Sequence, residues 1–289
     1  MKENVTISTD DGVVRIDKFL AERYPEYSRA AIAKLFKLNL IKRKGISLRP
    51  GEKVRPGAEI EYDLGPLQAV PEVIQLPVIF EDDNVIVVDK PAGIISHARG
   101  RFWQEASVAS FIRDKISGMD GERGGIVHRL DRATSGVMIC AKNVDSLKFM
   151  QKQFHDRKVT KKYTAVIKGA PKHDEAIIEA GIMRNLKDPK RFMINPDGKQ
   201  STTHYKVKES ANGYSMLELT PKTGRTHQLR LHLLHINHPI VGDALYDGEK
   251  ADRLMLHAHS LEIMLPGGKI QKFTSAVPPE LKGLLNATK

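Results

Sequence analysis

Residues 124–136, Gly-Gly-Ile-Val-His-Arg-Leu-Asp-Arg-Ala-Thr-Ser-Gly, set a single carboxylate, Asp131, among basic and small polar residues just before an apolar run. His128 and Arg129 precede it and Arg132 follows, and nearby positive charge favours the ionised form of a carboxyl group. An ionised carboxylate in a fixed position can act as a nucleophile or as a base. An isolated Asp before Thr134-Ser135-Gly136 is also well suited to capping a turn. The stretch alone leaves both readings open, so the rest of the chain has to decide.

The 289 residues suffice for one large core or two unequal domains. Forty-six Lys and Arg against 35 Asp and Glu give a formal net charge of +11, which points to a polyanionic partner, nucleic acid first. The single cysteine, Cys140, lies in the apolar run Val137-Met138-Ile139-Cys140-Ala141 and reads as a buried, inert thiol. No stretch approaches the ~18 apolar residues of a membrane span, and no leader-like segment opens the chain. A soluble cytoplasmic protein is the expectation, and nothing in the sequence demands more than a monomer.

Residues 13–64 read as a compact unit with a helix around Arg15 to Tyr24 and a second helix opening at Ser28. In the second helix Ile32, Leu35 and Phe36 share one face. Between Ser28 and Arg55 stand nine basic residues, among them Arg29, Lys34, Lys37, Lys42 and Arg43, against Glu52 alone. An ordinary solvated face mixes both signs, so this one reads as a phosphate-contacting surface. Residues 65–77, with Pro66, Pro71 and Pro77, read as a linker. From 78 to 289 the pattern predicts strands near 84–89, 137–141, 162–168, 203–208, 214–220 and 254–265, and a helix capped by Asn143. Strands outnumber helices without regular βαβ alternation, which predicts an α+β fold with a largely antiparallel mixed sheet flanked by helices and loops.

The N-terminal pattern resembles the S4 RNA-binding domain. Val14-Arg15-Ile16-Asp17-Lys18-Phe19-Leu20 opens it, Ser28-Arg29 starts its second helix and residues 54–60 close it. The resemblance implies RNA contacts from Arg15, Ser28, Arg29, Lys34, Lys37, Lys42 and Arg43.

The larger segment resembles the RluA-type pseudouridine synthases. His128-Arg129-Leu130-Asp131 with Thr134-Ser135-Gly136 matches their signature, preceded by Asp89-Lys90-Pro91-Ala92-Gly93 and followed by Lys161-Lys162-Tyr163-Thr164-Ala165. Residues 223–230, Thr-Gly-Arg-Thr-His-Gln-Leu-Arg, and 238–243, His-Pro-Ile-Val-Gly-Asp, complete the order. The resemblance implies isomerisation of uridine to pseudouridine, by cleavage of the C1′–N1 bond, rotation of the uracil and reattachment through C5. It assigns the catalytic role to Asp131, places Arg225 beside it, packs Tyr163 against the target base and gives Leu256 a place in the base pocket. An enclosed pocket implies base flipping, with Arg129 filling the vacated space or contacting phosphate.

Lys161 and Lys162 fall in a basic track between 143 and 172 that suits RNA backbone. The reaction exchanges no electrons or groups with another molecule, so neither metal nor redox cofactor is expected. The architecture resembles enzymes that act on large-subunit ribosomal RNA, with transfer RNA as the alternative. Two positions depart from the family pattern: Ala98 follows His97 where proline is usual, and Asp247 follows Tyr246 where glycine is usual.

Three rival readings compete with this one. His227, His232, His235 and His238, with His257 and His259 later, suggest zinc, but no H-E-x-x-H pattern or paired cysteines accompany them. A glycosidase needs two carboxylates across the scissile bond, and one suitable acid is evident. A noncatalytic RNA-binding protein on the same frame has no use for Asp131, Tyr163 and Arg225 together.

Overall fold

The computed structural model describes residues 2–69, 74–98, 105–119 and 123–286. These fall into two compact units, one of residues 2–69 with Ala98 and Glu105, the other of residues 74–97, 106–119 and 123–286. Pro71 of the expected linker, and Arg99 and Gly100 after the unusual Ala98, lie outside the described residues.

In the first unit β1 (Lys2–Thr6), β2 (Val14–Arg15), α1 (Ile16–Arg23), α2 (Arg29–Lys37), β3 (Ile41–Arg43), β4 (Ile46–Ser47), β5 (Lys53–Val54) and β6 (Glu59–Asp63) follow in order. The sheet runs β1-β6-β3-β4, and β2 pairs with β5. Ser28 caps α2 as expected, its hydroxyl accepting from the Ala31 N–H at 3.2 Å. Ile32, Leu35 and Phe36 bury the predicted face against Ile16, Leu20 and Ile60. The unit begins earlier than residue 13, because β1 completes its sheet by pairing with β6. It also ends later than 64: the first residues of the expected linker form a helical turn, α3 (Gly65–Gln68), whose Leu67 is buried in this core.

The second unit contains β7 (Val78–Glu81), β8 (Val85–Lys90), α4 (Val108–Ile112), β9 (Ser135–Ala141), α5 (Val144–His155), β10 (Thr160–Lys168), β11 (Glu175–Arg184), β12 (Phe192–Ile194), β13 (Lys199–Ala211), β14 (Tyr214–Pro221), α6 (Gln228–His235), β15 (Leu256–Met264), β16 (Ile270–Thr274) and α7 (Pro279–Asn286). Its sheet runs β12-β11-β13-β14-β10-β15-β9-β8-β7, with β16 on β15. The β9 and β15 pair is parallel and the other pairs of this sheet are antiparallel, which makes the fold α+β with a mixed, mostly antiparallel sheet.

The two-residue period of strands explains why β8 and β9 read as unbroken apolar runs. Ile86, Val88, Met138 and Cys140 face a core with Val108 and Ile112, while Val85, Val87, Val137 and Ile139 face another with Met150 and Leu261. Burial pushes the Cys140 thiol up to about 12, so it stays protonated and inert. Where β9 meets β15, Gly136 adopts φ +116, and a Cβ there would lie 2.2 Å from the Ala258 carbonyl oxygen. Only glycine permits that contact, which fixes the start of β9 just after Asp131. On β10 a register shift falls between Lys162 and Tyr163, opposite β15. Such a bulge re-aims the side chains beside it.

Candidate active site

Asp131 sits on a loop held by the motif near residue 90. The Ser96 hydroxyl donates to the Leu130 carbonyl at 2.8 Å and accepts the Leu130 N–H at 3.0 Å. The Gly93 N–H donates to the Arg132 carbonyl at 2.8 Å. Lys90 is fully buried, and its amine donates to the carbonyls of Pro91, Ile94 and Arg132 at 2.9, 2.8 and 3.3 Å. Burial pushes that amine down to about 7, against the attraction of Asp131. On the other side the Ile139 N–H donates to His128 Nε2 at 3.1 Å, and the ring stacks on Phe154 at 4.7 Å. Burial, aided by the Lys161 charge, lowers His128 to about 3, so it is a neutral strut. The Thr134 N–H donates to the Asp131 carbonyl at 3.1 Å. The segment therefore turns through its backbone, and the Asp131 carboxylate serves a different neighbour.

That carboxylate faces Arg230, whose Nη1 lies 3.8 Å from Asp131 Oδ2. The Arg230 fork is occupied elsewhere: Nε and Nη2 donate to the two oxygens of Asp243 at 2.7 and 2.6 Å. Asp243 is itself buried and accepts the N–H groups of Leu245 and Tyr246. Burial opposes the Arg230 charge, yet Asp243 and then Asp131 raise its pKa. The guanidinium beside Asp131 is thus that of Arg230, not Arg225. Arg225 is exposed on the wall of the same pocket, its Nε reaching the Gln200 carbonyl at 3.4 Å. Both belong to one motif, but Arg225 precedes α6 while Arg230 lies inside it, and the helix turns Arg230 inward. Gln228 fixes the intervening turn. Its carbonyl accepts from Thr223 Oγ1 and the Arg225 N–H, and its amide donates to Thr202 O and Thr203 Oγ1.

Asp131, Arg230, Tyr163, Leu256, Arg129 and Arg225 all line one pocket of about 600 Å³. Among the described residues its lining holds six Lys or Arg side chains and a single acid, Asp131. Burial, and then the charge of Asp131, push the Tyr163 phenol up, so it remains protonated. Leu256 is buried. Arg129 is exposed at the rim. Lys161 also faces this pocket, and burial lowers its pKa. Its neighbour Lys162 alternates to a different environment and pairs with Glu218 at 2.9 Å. Among the described residues no group of three or more His, Cys, Asp or Glu is arranged to hold a metal ion. The histidines that suggested zinc are dispersed: His232 bonds Ser201, His257 bonds Ser135 and His238 bonds the Lys168 carbonyl. Asp247 has φ +58, the left-handed conformation that favours glycine and that Asp tolerates, so this departure keeps the turn.

In the first unit, Arg15 and Arg29 share the buried carboxylate of Asp17. Arg15 Nε donates to Oδ1 at 3.1 Å and Arg29 Nη2 to Oδ2 at 2.6 Å. Burial opposes the Asp17 charge, but these bonds hold the group down at about 2. Both guanidiniums remain largely exposed. Ser28 is spent on its cap. Lys37 and Arg43 are exposed, and Lys34 and Lys42 are half-buried.

Residues 84–235 match the RNA pseudouridylate synthase family. This chain belongs to that family and is an RluA-type RNA pseudouridine synthase, an enzyme. It is 37% identical over 286 residues to the ribosomal large subunit pseudouridine synthase D of Borreliella burgdorferi, covering 93% of this chain and 87% of that protein. It is 39% identical to an uncharacterized RNA pseudouridine synthase of Aquifex aeolicus, covering 80% of this chain and 76% of the other. Among solved structures, human RNA pseudouridylate synthase domain containing 1 superposes with a TM-score of 0.61 at 27% identity, over 74% of this chain and 89% of that one.

The two arginines should separate in kinetics. Arg230→Lys, which keeps the charge and loses the fork, should lower the rate on bound RNA roughly tenfold or more. Arg225→Ala should weaken RNA binding and leave that rate within about threefold. Single-turnover assays over a range of RNA concentrations check this, and the reverse ranking would refute it.

Proposed function

We propose that Asp131 is the catalytic carboxylate of this enzyme and that its substrate is a uridine of large-subunit ribosomal RNA. The carrying observation is the pocket itself: among the described residues, one carboxylate ringed by six cationic side chains, with a protonated tyrosine beside it. Cations suit the phosphates of RNA, and a lone acid suits a reaction that needs one carboxylate at the sugar or the base. Tyr163 offers its ring to the uracil and Leu256 closes the apolar side. Arg225 and Lys161 contact the backbone around the target, and Arg129 fills the space left by the flipped nucleotide.

The first unit supports a reading as an S4 RNA-binding domain. The capped helix α2 opens with Arg29, and Arg15 and Arg29 are pre-oriented by the one carboxylate of Asp17. Guanidiniums fixed in this way lose little freedom on meeting phosphate. The relatives named for the ribosomal large subunit span nearly the whole chain, which favours ribosomal over transfer RNA and a cytoplasmic site of action.

Pseudouridines mapped in total RNA, with and without the gene, test the substrate. The expected loss is at uridines of large-subunit ribosomal RNA, and losses confined to transfer RNA would overturn the assignment. The first unit has its own test in Lys37→Gln with Lys42→Gln. Each phosphate contact contributes about 0.7 to 0.9 to the salt dependence of binding, so the slope should fall by about 1.4 to 1.8 while the rate on bound RNA holds. An unchanged slope would count against RNA contact there.

A further inference from the structure

The hydroxyl of Tyr246 meets two nitrogens. The Phe192 N–H donates to it at 2.9 Å, and His227 Nδ1 lies 2.7 Å away. A backbone N–H can only donate, so the hydroxyl accepts there and keeps its one proton for another acceptor. Among the described residues His227 Nδ1 is the remaining partner of this buried hydroxyl. An Nδ1–H would leave the phenol proton buried with nothing to receive it. His227 is therefore the neutral imidazole with its proton on Nε2.

The surroundings support a neutral ring. Burial holds the His227 pKa down, and Arg230 and Arg129 act in the same direction against Asp131 and Asp243. The ring is wedged edge to face against Phe192 and Tyr246, each at 5.5 Å. His227 takes φ +57 at the N-terminus of α6, a left-handed residue that sets the direction of the ring. With Nδ1 occupied, the opposite edge is left for the pocket that His227 lines together with Asp131 and Arg230.

We propose that His227, fixed by Tyr246 as the Nε2–H tautomer, donates a hydrogen bond from Nε2 to a carbonyl oxygen of the target uracil. The proposal rests on the reading that this pocket receives a uridine. A phosphate is a poor alternative, because an anion would have to sit beside the Asp131 carboxylate. Breaking the C1′–N1 bond leaves the bonding pair on the base, where it spreads onto both carbonyl oxygens. A fixed neutral donor binds that charge more strongly than the starting uridine, and the donor keeps its proton throughout. Tyr246 is then a positioning residue, since it acts on the base only through His227. The Arg230 guanidinium lies 4.8 Å from its ring centroid, which ties the donor and the carboxylate to one side chain.

Two substitutions separate this role from simple packing. His227→Gln keeps an amide N–H near the Nε2 position, whereas His227→Asn keeps one near Nδ1 and tolerates φ +57. With full-length enzyme and total RNA from cells lacking the gene, labelled with tritium at uridine C5, each pseudouridine formed releases one tritium. Asn should slow release from bound RNA roughly tenfold with little change in KM, and Gln should restore most of the rate. Nitrogen-15 spectra of histidine-labelled protein should show His227 protonated at Nε2 alone, and a mixture of tautomers in Tyr246→Phe. A proton on Nδ1, or Asn matching the wild type, would overturn the proposal. No tritium release by the wild type would instead overturn the reading of the pocket, and the proposal with it.

Discussion

The buried pair of Arg230 and Asp243 is the constraint on which the rest of the site depends. A guanidinium in the interior must be neutralised, and breaking such a pair costs about 3 to 5 kcal/mol because the surviving charge is left unpaired. Asp243 takes both arms of the fork, and Asp131 is left with the third nitrogen at 3.8 Å. That division gives Asp131 a fixed positive neighbour without tying up its oxygens. A carboxylate gripped by the fork itself would be well oriented but poorly available for chemistry.

Several distant parts of the chain serve this arrangement. Lys90 crosslinks three carbonyls and thereby ties the loop after β8 to the Asp131 loop. Gly136 lets β9 approach β15 closely enough to bring Tyr163 and Leu256 to the same pocket. Asp243 owes its position to the turn at Gly242, where an added Cβ would meet the Arg253 carbonyl at 1.8 Å. The family motifs, scattered from residue 89 to 243, are thus one three-dimensional unit.

Much of this was legible in the sequence. The runs of β8 and β9, the caps at Ser28 and Asn143 and the basic stretch after Ser28 carry their signals locally. The strand β11 escaped because its alternation is broken, with Ile177 exposed and Gly181 inside it. The arginine beside Asp131 was misplaced because both candidates lie in one motif five residues apart, and only the start of α6 decides which turns inward. Spacing within the helix was the available signal: Arg230 is buried alongside Leu229 and Leu231, so its charge needed an internal partner, and Asp243 supplies it. His227 and Tyr246 could not be paired from sequence, since they are joined only by the packing of α6 against the turn after Ile240.

In the proposed reaction one carboxylate, Asp131, performs the chemistry while its neighbours position it. Pseudouridine formation by full-length Asp131→Asn enzyme, on total RNA from cells lacking the gene, tests this most directly. The expected result is a folded protein that binds RNA as tightly as the wild type and forms product at least ~1,000-fold more slowly. Product formed by that variant within about tenfold of the wild-type rate would contradict it.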